Sequence, residues 1–239
     1  MAKRTELAGR GRPGGFSRGN LMKTISVIAR KGGAGKSTIA AHVALAAHLR
    51  GQKVLLADAD AQGSAAEVMR MRRGDGPQWA EARGGELYDF QVTAQRAGID
   101  TLVIDTPAGA DQDIGQAVVL ADLCMLVVRP TYLDIAAALQ TTDILRRLNR
   151  PALIVLNQAP AGRAGEECAQ VEKARAALRF TRLPVAESVI RTRLPYQTAL
   201  AMGRSVEELD ARSPAAAEMA ALWSNIEALA CAPRERLRA

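Results

Sequence analysis

Aromatic residues are scarce: three Phe, three Tyr and two Trp make up 3% of the 239 residues. A platform for single-stranded nucleic acid needs several rings on which bases stack, so this composition argues against one. Alanine and the branched aliphatics must instead fill the 48% hydrophobic fraction, which suits helices packed closely on a sheet. Cysteine is scarce too. Cys124, Cys168 and Cys231 are odd in number and far apart, which excludes a disulfide framework and a Cys-x-x-Cys metal knuckle and points to a cytosolic chain. No apolar run approaches the roughly 18 to 20 residues of a membrane span, and no apolar core of a secretory signal is present. The expectation is a soluble cytoplasmic protein, long enough for one well-buried domain.

A net charge of +7 suggests a polyanionic partner until the charges are located. Residues 1–20 carry +4 and residues 233–239 carry +2, which leaves +1 for the body between them. Residues 1–21, rich in Gly and Arg without apolar periodicity, are expected to be a disordered basic arm, with Met22 a second candidate start of translation. Residues 22–232 then form the folded domain and 233–239 a short basic tail.

Short apolar runs recur at 24–29, 53–58, 101–105, 123–129 and 152–157, continuous rather than alternating, as in strands covered on both faces. Segments with helical spacing separate them, among them 38–50, with Ile39, Val43, Ala46 and Leu49 on one face, and 135–148. The fold class is α/β, a parallel sheet flanked by helices on both faces. The stretch 72–85, with Gly74, Gly76, Pro77, Gly84 and Gly85, reads as a surface excursion. Polar residues close every run: Arg30 and Lys31, Asp58 and Asp60, Asp105, Arg129, and Asn157. The carboxyl ends of parallel strands form a ligand crevice, so these termini converge on one site.

After the first run comes Arg30-Lys31-Gly32-Gly33-Ala34-Gly35-Lys36-Ser37-Thr38, then a helix. Glycines let the backbone wrap phosphate oxygens, and the helix N-terminus adds its positive end. Lys36 is placed to reach the β and γ phosphates of a nucleotide and the Ser37 hydroxyl to ligate magnesium. Such a site also needs a strand-terminal carboxylate for the cation, and Asp105 fits. Asp111 and Asp113 read better as helix N-caps.

Glycines at 32 and 33, with Arg30 where the ordinary loop has glycine, make Lys31 to Ser37 a deviant Walker A sequence that resembles the ParA/MinD group of ATPases. Asp58-Ala59-Asp60-Ala61-Gln62-Gly63 resembles that family's Asp-x-Asp-Pro-Gln-Gly element, with Ala61 in place of proline. Residues 102–109 resemble its Walker B and switch segment, Pro130-Thr131-Tyr132-Leu133-Asp134 its Pro-Ser/Thr-x-x-Asp segment, and Val155-Leu156-Asn157-Gln158 the strand whose Asn faces adenine. The resemblance covers about residues 22–230. It implies ATP and Mg2+ as cofactors, with Gly32, Gly33, Ala34, Gly35, Lys36, Ser37, Thr38 and Asn157 at the nucleotide. Ser37, Asp58 and Asp105 serve the metal, Asp58 in its outer shell, and Asp60 orients the attacking water. An ATP-bound homodimer is implied as well, in which Lys31 reaches the partner's phosphates.

Between 173 and 204 the chain carries Lys173, Arg175, Arg179, Arg182, Arg191, Arg193 and Arg204 against Glu187 alone, +6 in a body of +1. Positioned cations suffice for DNA binding without base readout, although a solvated charged surface reads the same way. The small ParA class, which this chain resembles, uses such a surface on the nucleoid, with a ParB-like or cargo-adaptor protein stimulating hydrolysis. The expected function is positioning of a plasmid, a chromosome region or a protein cluster. MinD-like membrane cycling and a metabolic or maturation ATPase of the same superfamily are the alternatives. The stripe Leu222, Trp223, Ile226 and Leu229 reads as core rather than as a membrane-lying face, so no membrane is expected.

Overall fold

The computed structural model describes residues 22–82, 85–109, 111–163 and 165–230; the expected arm and tail lie outside these. In chain order the elements are β1 (Lys23–Ile28), α1 (Lys36–Leu49), β2 (Val54–Asp58), α2 (Ser64–Met71), β3 (Gln78–Glu81), α3 (Leu87–Arg96), β4 (Thr101–Asp105) and α4 (Asp111–Leu120). There follow β5 (Leu123–Val128), α5 (Tyr132–Arg147), β6 (Ala152–Leu156) and α6 (Ala169–Leu178), which runs into a 3-10 turn (Arg179–Thr181). The chain continues through α7 (Leu194–Ala201), α8 (Val206–Leu209) and α9 (Pro214–Ala230).

All described strand pairs are parallel, in the order β3-β2-β4-β1-β5-β6. Successive side chains of each inner strand enter different cores. Val54 and Leu56 enter the core formed with Ile39 and Val43 of α1, which also takes in Leu222 and Ile226 of α9, while Leu55 and Ala57 face the α3 side with Leu87 and Ala94. Burial on both faces explains why the runs were continuous rather than alternating. The 222–226 stripe is core as expected: Leu222, Trp223 and Ile226 are buried and Leu229 partly so.

Two sequence expectations shift. The excursion at 72–85 contains edge strand β3, too short and too polar at its ends to stand out; Trp79 lies under the Arg70 guanidinium, 4.9 Å from its ring centre. Leu49, assigned to the apolar face of α1, is 44% exposed. In its place α1 is buried nearly all round by alanines, because it is sandwiched between the sheet and α7 and α9. Residues 184–192 also run parallel along the outer edge of β6: Ile154 N–H donates to Pro184 O, Ala186 N–H to Ile154 O, and Ile190 N–H to Leu156 O. That segment orders the cationic region along the sheet.

One buried polar contact in α1 yields a stability prediction. His42 is 1% exposed; its Nδ1 is 2.9 Å from Thr38 O and its ring stands edge-on to Tyr196 at 5.2 Å. Burial lowers its pKa from 6.5 to about 4, against the opposing pull of the Thr38 carbonyl. The unfolded chain takes up this proton below 6.5 and the native one not until about 4. Stability from this residue is therefore complete above the upper value and is lost as pH falls across the window, roughly 3 kcal/mol at most. A melting-temperature profile should show that acid slope in the wild type and a flatter one in His42→Phe.

Candidate functional site

The sheet order places β1 between β4 and β5, so the loop after β1 opens at the point where the strand order reverses. Register sets Val27 of β1 and Asp58 of β2 each beside Asp105 of β4. Thr106 locks this corner, donating its N–H and its hydroxyl to Val27 O at 3.3 and 3.0 Å.

The glycine loop does what its composition requires. Gly33 (φ 76°) and Gly35 (φ 87°) adopt left-handed backbone, and a Cβ on Gly35 would collide with the Asn157 amide. The N-terminus of α1 has no side-chain cap and no acidic residue in its first turn, which leaves its N–H groups for an anion. Lys36 is buried at the loop's end, with Ser37 and Thr38 half-buried behind it, whereas Gly32 and Gly33 are exposed.

Asp105 is the electrostatic centre. It is wholly buried, neither carboxylate oxygen has a hydrogen-bond partner among the described residues, and its pKa is pushed up to about 7. Desolvation is the main cause, opposed by the neighbouring Ser37 hydroxyl and Lys36 ammonium and reinforced by the charges of Asp58 and Asp60. An unpaired buried carboxylate beside a serine hydroxyl is the donor set a hard cation requires, so Ser37 and Asp105 fit Mg2+. Asp58 is differently employed: Oδ1 accepts the Asp60 N–H at 3.1 Å and Oδ2 the Ala66 N–H at 2.8 Å, which pins the turn that carries Asp60. Burial raises its pKa as well, against those backbone hydrogen bonds. Asp60 itself is half-buried, and its Oδ1 accepts the Gln62 N–H at 3.0 Å.

Asn157 follows β6 and meets the glycine loop. It is 3% exposed and donates Nδ2 to Ala34 O at 2.8 Å, while Gln158 donates Nε2 to Gly33 O at 3.0 Å. These two side chains brace the loop. The sequence signal for this was the steric vacancy at Gly35, legible only once β6 was placed beside it.

Lys31 is half-buried and shares a narrow cleft with Asp134 at the start of α5. Burial works to raise the Asp134 pKa, but hydrogen bonds from Arg129 and Thr131 and the charges of Arg129 and Lys31 outweigh it and hold the carboxyl below its usual range. Thr131 also caps α5 by accepting the Asp134 N–H.

The seven cations of 173–204 do not form one patch. Arg175, Arg179 and Arg182 line an open hollow of about 530 Å³ with Leu183, Pro184 and Val185, the last of which pairs with Ile154 in the middle of β6. Lys173, Arg179 and Arg182 are exposed, and Arg175 donates to Glu187 O. Arg191 and Arg193 lie towards the carboxyl end of β6 and are paired. Arg191 holds Glu167 with two bonds of 2.7 and 2.8 Å, and Arg193 Nε donates to Glu218 at 2.8 Å. Both acids stand outside the window that was counted, so linear counting overstated the free charge. The exposed Arg204 donates to Glu208 O.

The family model described as the CobQ/CobB/MinD/ParA nucleotide binding domain matches residues 25–219. Maintenance of carboxysome distribution protein A from Halothiobacillus neapolitanus is 31% identical over 211 residues, 83% of this chain and 93% of that protein. Among solved structures, apo McdA from Cyanothece superposes with a TM-score of 0.71 at 15% identity, covering 86% of this chain and 99% of that one. The cell division ATPase MinD of Pyrococcus furiosus gives 0.70 at 20% identity, covering 87% and 100%. Matched over most of its length, with its glycine loop, Lys36 and Asp105 gathered at one sheet corner, this chain belongs to the CobQ/CobB/MinD/ParA nucleotide-binding family.

Proposed function

We propose that the protein is a positioning ATPase of the ParA kind: it binds Mg2+ and ATP, closes as a homodimer, coats DNA without sequence preference, and is released when a cargo-adaptor protein of the ParB-like kind stimulates hydrolysis. The observation that carries the nucleotide half of this reading is the unpaired Asp105 carboxylate beside Ser37 and Lys36. In this mechanism Lys36 and the free N–H groups of α1 bind the phosphates, Ser37 and Asp105 hold the cation, and Asp60 orients the attacking water. Magnesium, when bound, neutralises charge on the transferring phosphate. Lys31 extends to the partner's phosphates, so that turnover depends on the closed dimer. The likeness to a carboxysome-distribution protein supports a large protein assembly as the cargo, carried on the nucleoid of the cytoplasm.

DNA contact falls to the exposed cations Lys173, Arg179 and Arg182, since Arg191 and Arg193 are engaged with Glu167 and Glu218. Sedimentation with unrelated-sequence DNA in ATP, ADP or no nucleotide is the test, with binding expected in ATP alone. Replacing Arg179 and Arg182 together by Ala should weaken that binding by about tenfold and lower its salt slope by roughly two. Absence of DNA binding in every nucleotide state would overturn the nucleoid reading, and sedimentation with anionic liposomes under ATP would then examine membrane cycling.

A further inference from the structure

Arg129 follows β5, the strand beside β1, and so stands at the same corner as the glycine loop. The mechanism above gives it no part. Its Nε and Nη2 donate to the two oxygens of Asp134 at 2.9 and 3.2 Å. Asp134 is clamped in turn by the Thr131 hydroxyl at 2.6 Å and by its place in the first turn of α5. A two-pronged pair of this kind fixes the plane of the guanidinium as well as its position.

The third nitrogen is what remains. Nη1 makes no hydrogen bond to a described residue and lies 3.8 Å from the point where a Cβ of Gly33 would stand. The side chain is 32% exposed. If Arg129 served only to staple Asp134 to the strand, a charge-bearing nitrogen aimed at the most exposed turn of an anion-binding loop would have no use there. A guanidinium keeps its charge at any working pH and offers several donors to phosphate oxygens, unlike the point charge of a lysine.

We infer that Arg129 is a further polyphosphate-binding residue of the nucleotide site: anchored on Asp134, it presents Nη1 to a nucleotide held at Gly33, as a second fixed cation from the same subunit beside Lys36. The inference rests on the nucleotide-site assignment. It adds a contact that none of the sequence motifs contains, because the motif segment begins only at Pro130.

The test is calorimetric titration of the nucleotide-free full chain with ATP and with ADP, magnesium present, at low and high salt. Arg129→Ala should bind both nucleotides about tenfold or more weakly, with a shallower salt dependence, and Arg129→Lys should recover part of the loss. Arg50→Ala serves as the control: it breaks the pair with Glu207 and the stacking on Trp223 at the far end of α1, so it should melt earlier yet keep its affinity within about threefold. Should the alanine variant fail to fold, Arg129→Gln, uncharged and still able to donate to Asp134, serves the same comparison. Wild-type affinity in the alanine or glutamine variant overturns the inference, as does an Arg50→Ala variant that loses as much affinity. Lys36→Ala separates this failure from a failure of the site itself: it should abolish binding, and a wild type that binds neither nucleotide would overturn the site assignment together with the role of Arg129.

Discussion

Asp105→Asn is expected to melt at a higher temperature than the wild type without nucleotide, and to lose magnesium-dependent ATP turnover by on the order of a hundredfold or more. The opposite signs share one cause. In the wild type the carboxyl is buried, desolvation outweighs the help of Ser37 and Lys36, and its pKa stands at about 7 against 3.8 for an exposed one. Between those values the native state keeps a proton that the unfolded chain has released, so native stability falls as pH rises through the window and the loss is complete above about 7. An amide does not ionise, and the variant escapes this penalty, which at about pH 8 amounts to at most roughly 4 kcal/mol. Melting curves in chelator across neutral pH should therefore diverge, with the variant above the wild type on the alkaline side. The same substitution removes the anionic donor for the cation. A variant less stable at alkaline pH would show that the buried charge does not cost stability, and one that turns over ATP normally would show that Asp105 is not a cation ligand.

Asp60→Ala should give the second large effect: ATP still binds, and hydrolysis falls by roughly a hundredfold to ten-thousandfold, the usual scale for removing a general base or water-orienting group. In the DNA sedimentation assay the variant should remain on DNA after the wild type has turned over and left. Asp58→Ala offers the contrast. Its oxygens hold the Asp60 and Ala66 N–H groups, so its loss should disturb the turn and weaken folding as well as turnover. If Asp60→Ala hydrolyses ATP at the wild-type rate, the water-orienting role belongs to another residue.

The parts of the molecule that were legible in the sequence are those governed by local or two-faced burial. Five runs stood out because each is apolar on both sides, and the glycines at 32, 33 and 35 announced a backbone turned towards an anion. Strand β3 was missed because an edge strand of four residues with Gln78 and Glu81 at its ends has neither period nor continuity. Arg191 and Arg193 appeared free because Glu167 and Glu218, distant along the chain, come together with them only after folding. The family resemblance assigns Asn157 to the base; the bond it donates to Ala34 O and its close approach to Gly35 depend on where β6 lies and are not legible in the motif. For Arg191, Arg193 and Asn157 the partners come from distant parts of the chain, whereas β3 lacks a local signal of its own.

The bracing of the glycine loop has a mechanical consequence. Asn157 and Gln158 grip Ala34 and Gly33, and the next residue, Ala159, donates its N–H to Ile190 O and accepts from Thr192 N–H. Three consecutive residues thus hold the phosphate loop on one side and the strand-like segment leading to Arg191 and Arg193 on the other. One three-residue stretch is thus shared by the anion-binding corner and the segment that ends at the Arg191–Glu167 and Arg193–Glu218 pairs, so a substitution in it acts on both at once.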